Sequence, residues 1–168
     1  MTRPQVDEYL SIYRECVGRV GYLELKLSVM RQDVQKIKDN LVADAALETP
    51  QREEGMPHGS GVGNPVERIV LKYADGFLPE DVIVAEKELA AAEQELDYRQ
   101  RVVLCVDAWL KGLNEREAWI IIHKVIDSDY SWREVIVMYR LKYGEEYSRD
   151  ALKRMKDRAL EKIYRFAE

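Results

Sequence analysis

The N-terminal part of the chain carries an apolar stripe that repeats every 3.5 residues. A heptad of this kind keeps one face of an α-helix turned towards a partner along the whole helix. The stripe therefore predicts one long α-helix with a buried face. The intervals alternate between three and four residues, through Val6, Tyr9, Tyr13, Cys16, Val20, Leu23, Leu27, Met30, Val34, Ile37 and Leu41.

A second heptad segment follows in the middle of the chain, interrupted by Arg99 at one apolar position. The small side chains of Ala85 and of Ala90 to Ala92 allow close approach of another helix, which favours an antiparallel helical hairpin over residues 1–112. Pairing with a second copy, as a homodimer, stays open, because a heptad does not identify its partner. The apolar positions are Val82, Ala85, Leu89, Ala92, Leu96, Val103, Val106, Leu110 and Leu113.

Between the two helical segments lies a Gly- and Pro-rich loop at about residues 49–65, which contains His58. Such a composition does not hold a regular element. Its glycines would let backbone amides approach an anion, but no Lys-Ser or Lys-Thr pair follows, so a linker is favoured over a phosphate-binding loop. Residues Val66 to Tyr73 then predict a short amphipathic helix that ends at Asp75-Gly76.

The C-terminal third predicts three short helices, each opened by a capping residue. Asn114 and Ser131 are each followed three residues later by a glutamate, the pattern of a capping box, and Ser148 opens the last helix. Apolar residues recur at helical spacing behind each cap and predict a small shared core. They are Ile121, Ile122 and Val125, then Val135, Met138 and Leu141, then Leu152, Met155, Ala159, Leu160 and Ile163.

The last of these helices is basic in a chain whose net charge is −5. Between Ser148 and Arg165 it carries an excess of four positive charges. Gathering positive charge in one helix, behind another capped helix and a turn, is what a helix-turn-helix needs to bind the phosphates and base edges of DNA. A solvated face of an ordinary C-terminal helix is the simpler alternative, and the segregation of charge favours DNA contact.

These residues resemble the promoter-binding region 4 of sigma-70 factors and sigma-like phage regulators. The resemblance rests on Leu113 to Glu117, on Ser131 to Val135, and on Ser148 with Leu152, Arg158 to Leu160 and Ile163. It implies that residues 113–168 form a helix-turn-helix domain, with the second segment as positioning helix and the third as recognition helix. The connection from Met138 to Tyr147 is longer than the tight turn of that family, which predicts either an extended positioning helix or a small wing.

A second resemblance lies upstream, in the segment from Gly55 to Pro65 and the helical residues after it. This segment is similar to one in small late-gene transcriptional regulators of phages of Gram-positive bacteria, the RinA and ArpU type. The resemblance implies sequence-directed binding to double-stranded DNA near phage late promoters. Host RNA polymerase is a further partner that it suggests.

Six basic residues are the candidate DNA contacts. Arg149 and Lys153 lie one turn apart near the start of the recognition helix and are candidates for base edges. Arg154, Lys156 and Arg158 fit phosphates better, and Arg133 adds a backbone contact from the positioning helix. Trp109, Trp119 and Trp132 are more typical of a helical core than of base stacking.

Other site classes find little support in the sequence. Cys16 and Cys105 are isolated thiols, and His58 and His123 are too few for a zinc site, so no cofactor or metal is expected. The paired carboxylates fall in stretches that look exposed, and no nucleophile and base share a pattern, so an enzyme is not expected. No apolar run suits a membrane span, which predicts a cytoplasmic protein in the bacterial host, associated with its nucleoid.

The sequence thus predicts an all-α protein, a long antiparallel helical hairpin followed by a C-terminal helix-turn-helix domain. Its expected function is sequence-specific regulation of phage late genes through promoter DNA. The heptads motivate an alternative from another class, a coiled-coil protein of phage packaging or assembly, similar to a small terminase, that captures DNA without sequence preference.

Overall fold

The helices of the chain are defined by a computed structural model that describes residues 1–47 and 79–168. In these two ranges it contains five α-helices and no strand, which confirms the predicted all-α class. A π-helical turn, Ile122–Ile126, directly follows the third helix. The α-helices are α1 (Arg3–Leu47), α2 (Glu80–Lys111), α3 (Glu115–Ile121), α4 (Trp132–Tyr143) and α5 (Arg149–Ala167).

Three sequence predictions lie outside the described residues. These are the Gly- and Pro-rich loop at about 49–65 with His58, the resemblance carried by residues 55–65, and the short helix from Val66 to Tyr73. They stay predictions.

Both predicted heptad stripes are buried or half-buried along α1 and α2. Leu10 and Val102 are fully buried as well, although neither belongs to a predicted stripe. Both residues belong to an apolar cluster that also contains Ala159 and Ile163 of α5. The buried face is therefore wider here than a two-helix seam requires, because a third helix shares the core.

The described residues divide into two compact units, each of which contains part of α1 and part of α2. In the unit of residues 23–95, Leu23, Leu27 and Val82 are nearly inaccessible to solvent. Arg31 lies 2.8 Å from Glu93, and Lys38 lies 2.7 Å from Glu86. The second pair lies seven residues later in α1 and seven earlier in α2, so the two helices run in opposite directions within this unit.

The other unit contains residues 1–22 and 96–168. Its larger cluster joins side chains of α1, α2, α3 and α5, so one core crosses the predicted domain boundary between residues 112 and 113. That boundary itself stays a prediction. The fully buried members of the cluster are Val6, Leu10, Cys16, Val102, Val106, Ile121, Ala159 and Ile163.

Polar contacts fix the first turns of α1 against the last turns of α5. The Tyr164 hydroxyl donates to Asp7 Oδ1 at 2.7 Å, and Arg3 Nη2 lies 2.9 Å from Glu161 Oε2. Burial and the hydrogen bond to Asp7 raise the pKa of Tyr164 to about 12. Between α1 and α2, burial and a hydrogen bond to Asp107 raise the pKa of Tyr13 to about 12 as well.

Within residues 1–47 and 79–168, no helix combines the length and the apolar content that crossing a membrane requires.

Candidate nucleic-acid interface

The three predicted helix caps are present and set where α3, α4 and α5 begin. Asn114 Oδ1 accepts from the Glu117 amide at 2.9 Å, and Ser148 Oγ accepts from the Ala151 amide at 3.2 Å. Ser131 Oγ accepts from the Glu134 amide at 3.3 Å, and Glu134 Oε2 accepts from the Ser131 amide at 2.7 Å. Hydrogen bonding to Ser131 lowers the pKa of the Glu134 carboxyl. Two of the caps are complete capping boxes, as the sequence predicted.

The long connection between the predicted positioning and recognition helices is mostly helix. Residues 138–143 continue α4, and Gly144 ends it in the left-handed conformation with φ +69°. Arg116 of α3 then holds Glu145 through two hydrogen bonds of 2.7 and 3.0 Å. Of the two structures left open by the sequence, this one is the extended helix. The side chains of Glu145 and Glu146 beyond it are 43% and 75% exposed, in line with the exposed stretch that the sequence predicted.

Aromatic side chains pack beneath this connection. Tyr139 is fully buried, and its ring lies 4.7 to 5.4 Å from those of Tyr143, Tyr147 and Trp119. Burial raises the pKa of Tyr139, whose hydroxyl has no hydrogen-bond partner among the described residues. With Ile120, Val135 and Leu152, these rings form the second apolar cluster of the unit. The cluster joins α3, α4 and α5.

One face of α5 packs into the core of the unit. Leu152, Ala159 and Ile163 are fully buried, at intervals of seven and four residues. On one flank, Lys162 Nζ lies 2.7 and 2.8 Å from the two carboxylate oxygens of Glu117, a residue that is only 8% exposed. Lys162 therefore holds α5 to the start of α3.

The candidate base contacts lie at the start of α5. Arg149 is the first residue after the Ser148 cap and is exposed, and Lys153 lies one turn further and is half-buried. Neither has a carboxylate oxygen within 4.0 Å among the described residues. The charges of Arg149 and Lys153 are therefore not neutralised by ion pairs within the described residues.

The three candidate phosphate contacts differ in their surroundings. Arg154 and Arg158 are exposed, and the Arg158 Nε donates to the Arg154 carbonyl at 3.3 Å. Lys156 is half-buried and lies 3.2 Å from the carboxylate of Asp157. Because its charge is partly neutralised, Lys156 is the weakest of the three candidates.

Arg133, the candidate contact outside α5, is exposed in the first turn of α4. It directly follows Trp132, whose ring packs against the second apolar cluster. The described residues include no carboxylate in ion-pair range of Arg133.

An arginine row, which we define as Arg154, Arg158 and Arg165, runs along the exposed side of α5. The intervals of four and seven residues place these side chains on one side of the helix. The nearby acidic residues are engaged elsewhere, Asp157 by Lys156 and Glu161 by Arg3. Arg165 was missing from the candidates, although its helical spacing from Arg154 and Arg158 was available from the sequence.

The cations of α1 and α2 contrast with this row. Arg14, Arg31 and Lys38 are examples of a larger group that lies 2.6 to 3.3 Å from carboxylate oxygens. Most Lys and Arg side chains of the two long helices are thus paired with carboxylates, Lys26, Lys87 and Lys111 being exceptions within the described residues, whereas the whole arginine row of α5 is left without such a partner. The other members are Arg3, Lys36, Arg99 and Arg101.

The tryptophans and His123 belong to the packing of the unit. Trp109 and Trp119 are buried, as the sequence predicted, whereas Trp132 is half-buried under the ammonium of Lys124, 5.4 Å from its ring centre. The His123 ring stacks on Trp119 with the centres 4.0 Å apart, and its Nδ1 lies 2.9 Å from the Trp119 carbonyl oxygen. The described part of the chain contains no group of three or more His, Cys, Asp or Glu arranged to hold a metal ion.

No protein-family model matches the chain, and searches of curated proteins and of solved structures find no match either.

Proposed function

We propose that this protein is a sequence-specific DNA-binding regulator of phage late genes that binds promoter DNA through α4 and α5. In this proposal α4 and α5 act as a helix-turn-helix, with α5 as the recognition helix, and the antiparallel hairpin of α1 and α2 supports them. The proposed activity is binding, without a catalytic step. The observation that carries the proposal is the uncompensated positive charge along the exposed side of α5.

The basic residues at the N-terminus of α5 and those of the arginine row have different proposed roles. Arg149 and Lys153 stand at the helix N-terminus, where the recognition helix of a helix-turn-helix meets base edges. Their long donor side chains suit the acceptors of guanine in the major groove. The arginine row and Arg133 carry charges that suit phosphates, which fix the protein on the duplex without reading sequence.

Selection from genomic fragments tests the proposal directly. Purified full-length protein is incubated with sheared host and phage DNA at near-physiological salt, and the retained fragments are sequenced. Enrichment of one or a few sites upstream of a late operon is the expected result. Uniform or absent enrichment would overturn sequence-specific regulation.

The enriched duplex then tests the residue assignments. Arg149→Ala and Lys153→Ala are expected to weaken binding to this duplex about tenfold or more, and to weaken binding to a scrambled duplex much less. Lys156→Ala should have a smaller effect, because Lys156 is half-buried and paired with Asp157. Arg101→Ala on α2 removes the same charge from a residue that pairs with Asp97 and serves as the matched control. Equal losses on both duplexes would contradict base reading by Arg149 and Lys153.

The arginine row is tested by the salt dependence of binding. Each neutralised phosphate releases counterions, so the four contacts of the arginine row and Arg133 predict a slope of about −4 when the logarithm of the affinity is plotted against the logarithm of the salt concentration. Arg154→Ala, Arg158→Ala and Arg165→Ala should each lower that slope by about 1 on any duplex. Unchanged slopes in all three variants would remove the row from the DNA contact.

A further inference from the structure

The connection from α4 to α5 is short and contains no regular element of its own. It consists of residues Gly144 to Tyr147, between the left-handed end of α4 and the Ser148 cap of α5. Because α5 begins directly after it, the conformation of this α4–α5 connection decides where Arg149 and Lys153 stand relative to α4. The contacts that fix the connection therefore also place the proposed base contacts.

Two glutamates of the connection form ion pairs of unequal quality. Glu146 lies 2.8 Å from Arg140 of α4, but both side chains are largely exposed, and such a pair contributes little to stability. Glu145 is less exposed and accepts two hydrogen bonds from Arg116 of α3, at 2.7 and 3.0 Å, one on each carboxylate oxygen. A two-point contact fixes the orientation of the carboxylate as well as its distance. It holds the connection relative to α3, and not only relative to α4.

Arg116 is itself held in place on α3. Its guanidinium lies over the ring of Tyr143, 5.5 Å from the ring centre. The next residue, Glu117, closes the capping box of α3 and accepts from Lys162 in the C-terminal half of α5. The first turn of α3 therefore holds the residues just before α5, through Arg116, and the later part of α5, through Glu117.

We propose that Arg116 is a positioning residue for base reading, because by holding Glu145 it orders the α4–α5 connection before DNA binds. The N-terminus of α5, with Arg149 and Lys153, is thereby placed in advance. This inference rests on the proposed function. Arg116 does not touch DNA in this role and acts only through Glu145, whose carboxylate neutralises the charge of the guanidinium.

The expected size of the effect follows from the entropy of ordering a chain segment. Fixing the backbone of a single residue costs roughly as much free energy as a tenfold change in affinity. A connection that becomes ordered only on DNA lowers the affinity by about that factor. The loss should fall on the duplex whose bases are read, since base contacts require a fixed placement of α5, whereas contacts to phosphates carry no sequence information.

Backbone NMR measures the ordering without DNA. The amides of Glu145 to Ser148 should have order parameters of about 0.85 in the unsubstituted chain and below about 0.6 in Arg116→Gln. The amide of Ala151, which donates to Ser148 Oγ, should exchange its hydrogen faster in this variant. Arg140→Gln removes the other ion pair of the connection and is the matched control, with no change expected in either quantity. Unchanged values in Arg116→Gln would overturn the proposal.

DNA binding measures the consequence for base reading. Arg116→Gln should weaken binding to the enriched duplex about tenfold and to a scrambled duplex less than about twofold, and should leave the salt slope unchanged. Arg140→Gln should change none of these. Loss of a direct phosphate contact would instead reduce the size of the slope by about 1 on every duplex, and that result would also overturn the positioning role.

Two further variants test whether Arg116 acts through Glu145. They are compared by the ratio of the two affinities, enriched over scrambled, because Glu145→Gln also removes a negative charge. Glu145→Gln breaks the same contact, so its combination with Arg116→Gln should lower the ratio no more than either single variant. Arg116→Lys keeps the charge without the two-point geometry and should restore only part of the ratio. Additive losses in the double variant would contradict action through Glu145.

The outcomes separate this inference from the function on which it rests. If no duplex is enriched, the proposed function fails and the role of Arg116 in base reading fails with it. An enriched duplex together with unchanged order parameters and exchange in Arg116→Gln overturns the positioning role alone.

Discussion

The Glu117 carboxylate takes part in two interactions that hold different parts of the fold. It accepts from the Asn114 amide in the capping box of α3 and from Lys162 of α5. The sequence predicted the first of these, because a capping box is local and its spacing is fixed. It gave no indication of the second, since Lys162 lies 45 residues away and was counted with the basic residues of the helix.

Substitution of Lys162 removes the ion-pair partner of Glu117 and leaves the other charged residues unchanged, and it should destabilise the fold. Lys162→Met leaves the nearly buried Glu117 without its ion pair, and we expect the free energy of unfolding to fall by about 1–2 kcal/mol, less than for a fully buried pair because Lys162 is half exposed. Arg165→Met removes the same charge from α5 and should change stability by less than about 0.5 kcal/mol. Urea denaturation of both variants measures the difference, and equal stabilities would contradict the role of the pair.

Two tyrosines predict a loss of stability in alkali. The pKa values of Tyr13 and Tyr164 are raised to about 12 in the folded chain, because burial and hydrogen bonds to carboxylates favour the neutral phenol. Their contribution is complete below pH 10, the ordinary tyrosine pKa, and is lost as the pH rises through about 12. Urea denaturation across this range should show the decline.

Phenylalanine variants isolate the two hydroxyls from other groups that titrate in alkali. Tyr13→Phe and Tyr164→Phe should each lower stability by about 1 kcal/mol at neutral pH, through the lost hydrogen bond, and should each flatten the decline above pH 10. A decline of unchanged size in the double variant would show that neither tyrosine titrates as described.

At the scale of elements, the helix starts were predictable and the helix ends were less so. Caps at Asn114, Ser131 and Ser148 depend on side-chain acceptors a few residues away, which a sequence displays directly. The π-helical turn Ile122–Ile126 has no such local signal. Asp127, which follows it, pairs with Arg14 of α1 at 2.8 Å, so a contact distant in sequence accompanies this end of the helix.

Gly144 gives a prediction about the end of α4. Its φ of +69° favours glycine, so Gly144→Ala should lower the free energy of unfolding by about 1 kcal/mol. Gly21, inside α1, has no atom within 4 Å of an added Cβ, and Gly21→Ala should raise stability by about 0.5–1 kcal/mol through helix propensity. Thermal denaturation distinguishes the two substitutions by the sign of the change. A stabilising Gly144→Ala would contradict the left-handed cap.

At the scale of the whole molecule, the basic character of α5 was predictable, but the ion-pair partners of its basic residues were not. Charge segregation in α5 is visible in the sequence, because this one helix contains seven Lys and Arg residues and three Asp and Glu residues. The distinction between Lys156 and Lys162, which have carboxylate partners, and the arginine row, which has none in the described residues, depends on packing. Sequence spacing orders side chains around a helix but does not assign their partners.

The shared core predicts that residues 113–168 do not form a stable domain alone. Ile121, Ala159 and Ile163 would lose the side chains of α1 and α2 that bury them, such as Leu10 and Val106. A fragment of this length buries little apolar surface even when its core is complete. We expect the isolated fragment to melt without cooperativity and with reduced helix content by circular dichroism, whereas the full chain melts cooperatively. A cooperative transition in the fragment would support the boundary at residue 112.

The contact between Asp7 and Tyr164 joins positions 157 residues apart. During synthesis, at about 5–20 residues per second, the first turns of α1 leave the ribosome long before the last turns of α5. For roughly 8–30 seconds at that rate, Val6 and Leu10 lack Ala159 and Ile163, the side chains with which they share a core. The nascent chain therefore presents an apolar helix face to the cell during synthesis, and chaperones that hold such faces should bind it until α5 emerges.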